Sequence, residues 1–102
     1  MDYLADIKKY AKSVDEAVVA KMEKTYALVL TKPDARLVSV SDADEVKTVR
    51  ENFLKKKLGV EGSNEELDAK IVEIGKTIPG QKNRLTLYYL LAEHYGKLSV
   101  FS

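Results

Sequence analysis

The chain has 102 residues, of which 45% are hydrophobic and 32% charged, and this balance excludes a disordered protein and predicts one domain over residues 1–102. It has no cysteine, which excludes disulfide bonds, thiolate metal sites and thiol nucleophiles. With a net charge of +1 and no apolar run near the roughly 20 residues that span a bilayer, the sequence predicts a soluble cytoplasmic protein without general attraction to nucleic acid or membranes.

Two helices are predicted in the first part of the chain. One face of the first helix carries apolar residues at helical spacing: Tyr3, Leu4, Ile7, Tyr10 and Ala11. Ser13 and Glu16 form a capping box, in which each side chain bonds the other residue's backbone N–H, at the start of a second helix over residues 14–30. That helix ends near Lys32, because the residue before Pro33 is pushed out of the helical conformation.

A third and a fourth helix are predicted in the middle of the chain. Ser41 is a capping residue at the start of the third helix. The buried stripe of that helix consists of Val46, Val49 and Phe53. Ser63 and Glu66 form a second capping box, which opens a fourth helix that ends by Pro79.

The fifth helix, over residues 83–95, is the most apolar segment of the chain. A helix that is apolar around most of its circumference usually lies at the centre of a fold. The sequence therefore predicts an all-α fold, a compact bundle of about five helices around the C-terminal helix. Residues 36–40 and 98–101 are β-like in composition, and we expect them to lie extended and to pair as a minor two-stranded ribbon.

The start of the fifth helix is the best candidate for a binding site. Helix N-termini disfavour positive charge, yet Lys82 and Arg84 stand at this one, shortly after Gly80. Together with free backbone N–H groups, Lys82, Asn83 and Arg84 are predicted to hold an anion such as phosphate or a partner's carboxylate. The structural alternative is that Arg84 pairs with an acidic residue of another helix, or that Lys76 and Lys82 solvate the loop.

Other polar residues have a structural interpretation beside a functional one. His94 follows Glu93 on the fifth helix, and no second histidine is present to complete a metal site. We interpret His94 as a helix-packing residue, with proton transfer alongside Glu93 and a tyrosine as the alternative. The lysines at 55–57 complement the negative end of the third helix, and nucleic-acid binding is the alternative if they share a face with Lys76, Lys82 and Arg84.

Three segments carry a family resemblance: MDYLADIKKYAKSVDE, ENFLKKKLG and LYYLLAEHYGKL. Together they resemble a family of short bacterial proteins catalogued only as domain of unknown function 2853. The resemblance extends over essentially the whole chain. It implies a bacterial, cytoplasmic, stand-alone protein, and it assigns no activity and no site residues.

No sequence motif indicates an enzyme, a cofactor or a metal. The chain has no P-loop, no GxGxxG, HExxH or GxSxG motif and no EF-hand loop. The surplus of apolar and tyrosine positions on the last helix favours a non-enzymatic protein-interaction module, either a homodimer or a partner of another protein. Anion or weak nucleic-acid binding at the start of that helix is the alternative function.

Overall fold

The computed structural model describes residues 2–101, with the side chains of residues 33 and 34 left aside, and it confirms the predicted helical bundle with a small ribbon. The α-helices are α1 (Tyr3–Lys8), α2 (Glu16–Thr25), α3 (Ala27–Leu30), α4 (Pro33–Arg36), α5 (Ala43–Thr48), α6 (Asn64–Gly75) and α7 (Arg84–His94). The strands are β1 (Leu37–Val38) and β2 (Lys82–Asn83). A π-helical segment covers Val49–Lys55, and a 3₁₀ turn covers Leu98–Phe101.

Helix α7 lies at the centre of the fold, as predicted. Residues 85–92 are all buried, and α1, α2, α4 and α6 each pack against this helix. The apolar surplus of α7 is therefore taken up by the protein's own core. The reasoning that this surplus provides a surface for a partner is wrong, because these side chains are covered within the chain itself.

Asp15, not the predicted Ser13, caps the helix that follows α1. Its Oδ1 accepts the backbone N–H groups of Ala17 and Val18 at 3.0 and 3.3 Å. The hydroxyl of Tyr89 donates to the carbonyl of Ser13 at 3.2 Å and accepts the N–H of Asp15 at 2.9 Å. Ser13 therefore lies in the loop before α2, and the Tyr89 hydroxyl of α7 stabilises this loop through two hydrogen bonds.

Asp42, not the predicted Ser41, caps α5 by accepting the N–H of Asp44 at 2.9 Å. Ser63 caps α6 as predicted, and its hydroxyl accepts the N–H of Glu66 at 3.1 Å. An aspartate close to a serine competes for the capping position, and its charge also interacts favourably with the helix dipole. The predicted serine caps fail at the two starts where such an aspartate is present.

Tyr26 divides the predicted second helix into α2 and α3. Its backbone leaves the helical region, with φ at −106° and ψ at 19°. Its ring packs edge-on against Tyr88, with 5.2 Å between ring centroids, and lies near Phe53 and Phe101. Burial raises the pKa of the Tyr26 hydroxyl. The helix is interrupted where this ring enters the aromatic cluster of the core.

The ribbon joins different segments from those predicted. Strand β1 lies within the expected segment 36–40, but it pairs antiparallel with β2, in the register Leu37 opposite Asn83 and Val38 opposite Lys82. Residues 98–101 form a 3₁₀ turn instead of an extended strand. That turn carries the Phe101 ring into the core, where it is 2% exposed.

The predicted third helix consists of α5 and the π-helical segment Val49–Lys55 that directly follows it. The N–H groups of Lys56 and Leu58 donate to the carbonyls of Glu51 and Phe53, five residues earlier, at 3.2 and 2.9 Å. This wider winding brings buried residues that are four and five positions apart onto one face of the segment. These buried apolar residues are Val49, Phe53, Leu54 and Leu58.

Candidate functional site

A cleft of about 680 Å³ opens where the ribbon ends. One wall consists of residues 37–41 and the other of residues 80–82, with Glu45 of α5 between them. Strand pairing stops after Val38 and Lys82, so the two chain segments separate beyond this pair. We call this space the ribbon cleft.

Both walls of the ribbon cleft contain backbone N–H groups without an acceptor. The N–H of Ser39 donates to Glu45 Oε2 at 2.7 Å. Among the described residues, no acceptor takes the backbone N–H groups of two further residues in each wall. These donors belong to Val40, Ser41, Gly80 and Gln81.

The predicted anion site lies at the edge of this cleft. Lys82 is in the cleft wall, and its Nζ donates to the carbonyl of Gly80 at 3.1 Å. Asn83 is buried and donates from Nδ2 to Asp6 Oδ2 at 3.0 Å. The same Asp6 oxygen accepts the hydroxyl of Thr86 at 2.5 Å. A carboxylate from α1 therefore stands at the N-terminus of α7, where the helix dipole favours negative charge.

Arg84 has several partners inside the protein. Its Nε donates to the carbonyl of Ala35, and its Nη1 donates to the hydroxyl of Tyr88 at 3.1 Å. Its Nη2 lies 3.9 Å from Glu45 Oε1, and the Arg84 side chain is 12% exposed. Glu45 of α5 is therefore an acidic partner for Arg84 on another helix, as the structural alternative for this region requires. Binding of an external anion by Lys82, Asn83 and Arg84 stays a prediction.

The lysines at 55–57 do not line the ribbon cleft with Lys82. Lys55 pairs with Glu51 Oε2 at 2.8 Å and donates to Asn64 Oδ1 at 2.7 Å. The Nζ of Lys57 lies 5.2 Å from the centroid of the Phe101 ring. Two of these lysines are therefore engaged within the protein.

A second cleft, of about 550 Å³, lies where α1, α6 and α7 end. Its lining consists of Lys9, Tyr10, Lys12, Ile74, Thr77, Leu90, Glu93 and His94. We call it the helix-end cleft. It brings Glu93 and His94 together with a tyrosine in one depression, which is the grouping that the proton-transfer alternative needs.

His94 is exposed at this cleft, and its ring meets that of Tyr95 edge-on, with 4.9 Å between centroids. Within residues 2–101, no group of three or more His, Asp or Glu side chains is placed to hold a metal ion. The same part of the chain contains no helix that is long and apolar enough to cross a membrane.

Sequence reasoning identifies Lys82 and free backbone N–H groups near Gly80, but it misses the donors of Val40 and Ser41 in the opposite wall. Those donors are backbone groups, and whether a backbone group is paired depends on a partner distant in sequence. The β-like composition of residues 36–40 is the one signal that points to this region.

Comparison with known families agrees with the resemblance seen in the sequence. The family described as "protein of unknown function (DUF2853)" matches residues 2–99. The chain belongs to the DUF2853 family. No curated protein matches the sequence at a significant level. The DUF2853 match assigns no activity, so a function for this chain is argued from its two clefts.

Proposed function

We propose that this DUF2853 protein is a non-enzymatic interaction module whose ribbon cleft pairs with an extended segment of another chain. The observation that carries the proposal is the set of unpaired N–H groups in the two walls, at Val40 and Ser41 and at Gly80 and Gln81. Extended peptides add to exposed strand edges through main-chain hydrogen bonds, and adjacent pockets select their alternate side chains. Leu37 and Val40, both half-buried, offer apolar contacts for such side chains.

A second copy of the chain is the partner proposed here, because the segment 36–42 is complementary to itself. In the free protein, Arg36 ends α4, and the N–H of Asp42 donates to the Ser39 carbonyl at 3.3 Å to close a turn. Pairing requires this segment to become extended, and in an antiparallel pair centred on Ser39, Arg36 of one copy then lies opposite Asp42 of the other and Val38 opposite Val40. Arg36 and Asp42 are exposed, and neither forms an ion pair within residues 2–101. Opposite charges across paired strands contribute about 0.2–1 kcal/mol each.

Charge reversal at Arg36 tests this pairing. We expect sedimentation equilibrium to show a reversible dimer whose dissociation constant rises about tenfold in Arg36→Glu, because like charges then face each other at both ends of the pair. Adding Asp42→Asn removes that repulsion while keeping a side-chain oxygen for the α5 cap, so part of the affinity returns.

Lys56→Glu is the matched control, since it changes the same charge at an exposed residue outside the cleft. Its dissociation constant is expected to equal that of the unmodified protein. A protein that stays monomeric at every concentration, or an equal response to Arg36→Glu and Lys56→Glu, would contradict the proposal.

Anion binding at the start of α7 is the second candidate function. The observation in its favour is that Lys82 lies in the cleft wall beside the unpaired N–H groups of Gly80 and Gln81. Titration with inorganic phosphate at low salt is expected to shift the amide signals of residues 80–84, and added salt should weaken the effect. Lys82→Gln should abolish these shifts and Lys76→Gln should leave them unchanged. Unchanged signals in the unmodified protein would rule out this candidate.

We also infer that the protein works in the cytoplasm as one domain over residues 1–102. The absence of cysteine suits a reducing compartment. The buried apolar residues form one connected cluster, which supports a single folding unit. Fractionation of cells that express the native protein tests its location.

A further inference from the structure

The helix-end cleft shares no lining residue with the ribbon cleft. Its least exposed apolar lining residue is Leu90, which is 7% exposed, and the half-buried Ile74 also lines the cleft. Its charged lining residues come from the chain after α1, with Lys9 and Lys12, and from the end of α7, with Glu93. An apolar floor with a few polar groups is the usual composition of a small-molecule site.

Two opposite charges in this lining have no partner within residues 2–101. Lys12 is exposed and forms neither an ion pair nor a side-chain hydrogen bond there, and the same holds for the half-buried Glu93. Lys9 differs, because its Nζ lies 3.9 Å from Asp6 Oδ1. The hydroxyl of Thr77 is also engaged, since it donates to the carbonyl of Ile74 at 2.6 Å.

We infer that the helix-end cleft binds a small zwitterion with an apolar side chain, of the apolar α-amino acid class. The ligand carboxylate pairs with Lys12, and the ligand ammonium pairs with Glu93. The apolar side chain covers Leu90 and Ile74. Glu93 decides the class, because its carboxylate pairs with a ligand ammonium group, and a simple carboxylic acid would leave it without a partner.

L-leucine is the probe for the first test, followed by the amide signals of the full chain. We expect saturable shifts at residues 9–12 and 90–94. Lys12→Met and Glu93→Gln should each weaken binding about tenfold, since each removes one charge-assisted contact with the ligand. Lys56→Met and Glu65→Gln are matched controls at exposed residues outside the cleft, and they should bind L-leucine like the unmodified protein.

Two analogues separate the roles of the charges. 4-Methylpentanoate lacks the ammonium group of leucine, and 3-methylbutylamine lacks its carboxylate. Each should bind about tenfold more weakly than L-leucine or not at all. The proposal is overturned if L-leucine causes no saturable shift, if 4-methylpentanoate binds as tightly, or if the two control variants lose affinity like those at Lys12 and Glu93. Unchanged amide spectra of the free variants will show that the fold is retained.

Discussion

Phe53→Ala is expected to lower the free energy of unfolding by about 3–5 kcal/mol. Phe53 is 1% exposed, and its ring stacks on that of Tyr88 with 3.9 Å between centroids and 11° between planes. Truncation removes this stack and leaves a cavity beside Tyr26 and Phe101, which the close-packed surroundings fill only in part. Urea unfolding followed by far-UV circular dichroism measures the loss.

Leu28→Ala is the matched control for this truncation. Leu28 is a large apolar side chain that is 80% exposed on α3, so its removal should change the free energy of unfolding by no more than about 0.5 kcal/mol. Equal losses for Phe53→Ala and Leu28→Ala would mean that the aromatic cluster does not form the core described above.

Gly75→Ala is expected to lower the free energy of unfolding by about 1–3 kcal/mol, although alanine normally favours a helix over glycine by about 1 kcal/mol. A Cβ at residue 75 would lie 2.5 and 3.2 Å from the two Cγ atoms of Val40 and 3.3 Å from its Cβ. The 2.5 Å contact is shorter than two carbon atoms approach in proteins, and the stiff valine side chain has few other rotamers to adopt. The Val40 side chain or its backbone must therefore move, which makes this substitution unfavourable. Thermal or urea unfolding measures the loss.

Val40→Ala provides the internal check, because it removes both Cγ atoms from the contact. Gly75→Ala should cost clearly less in the Val40→Ala background than in the unmodified protein, and a double-mutant cycle measures this coupling. An identical cost in both backgrounds would show that Val40 is not what excludes a side chain at position 75.

Apolar spacing predicts the central helix correctly, because a helix that is apolar on nearly every face is stable only where all of its faces are buried. The same spacing does not distinguish an α-helix from the π-helix over Val49–Lys55, because buried positions four and five residues apart fit both. The serine caps show a similar limit. Ser63 acts as predicted, whereas Asp15 and Asp42 replace the serines that precede them.

The two clefts depend on contacts between distant parts of the chain. The ribbon cleft exists because β1 meets β2 and not residues 98–101, and composition alone does not select between two short partners. The helix-end cleft places Tyr10 beside Glu93 and His94. Sequence reasoning names Glu93 and His94 as a pair with a tyrosine, but it does not identify which tyrosine, because the packing of α1 on α7 decides this.

Amide hydrogen exchange, resolved by residue, is the sharpest test of the ribbon cleft. The N–H groups of Val40, Ser41, Gly80 and Gln81 should exchange at rates close to those of an unstructured peptide, while residues 88–92 of α7 should exchange only through global unfolding. Strong protection of the four cleft donors in the free protein would contradict the proposal that they await a partner strand, and rapid exchange along α7 would contradict its place at the centre of the fold.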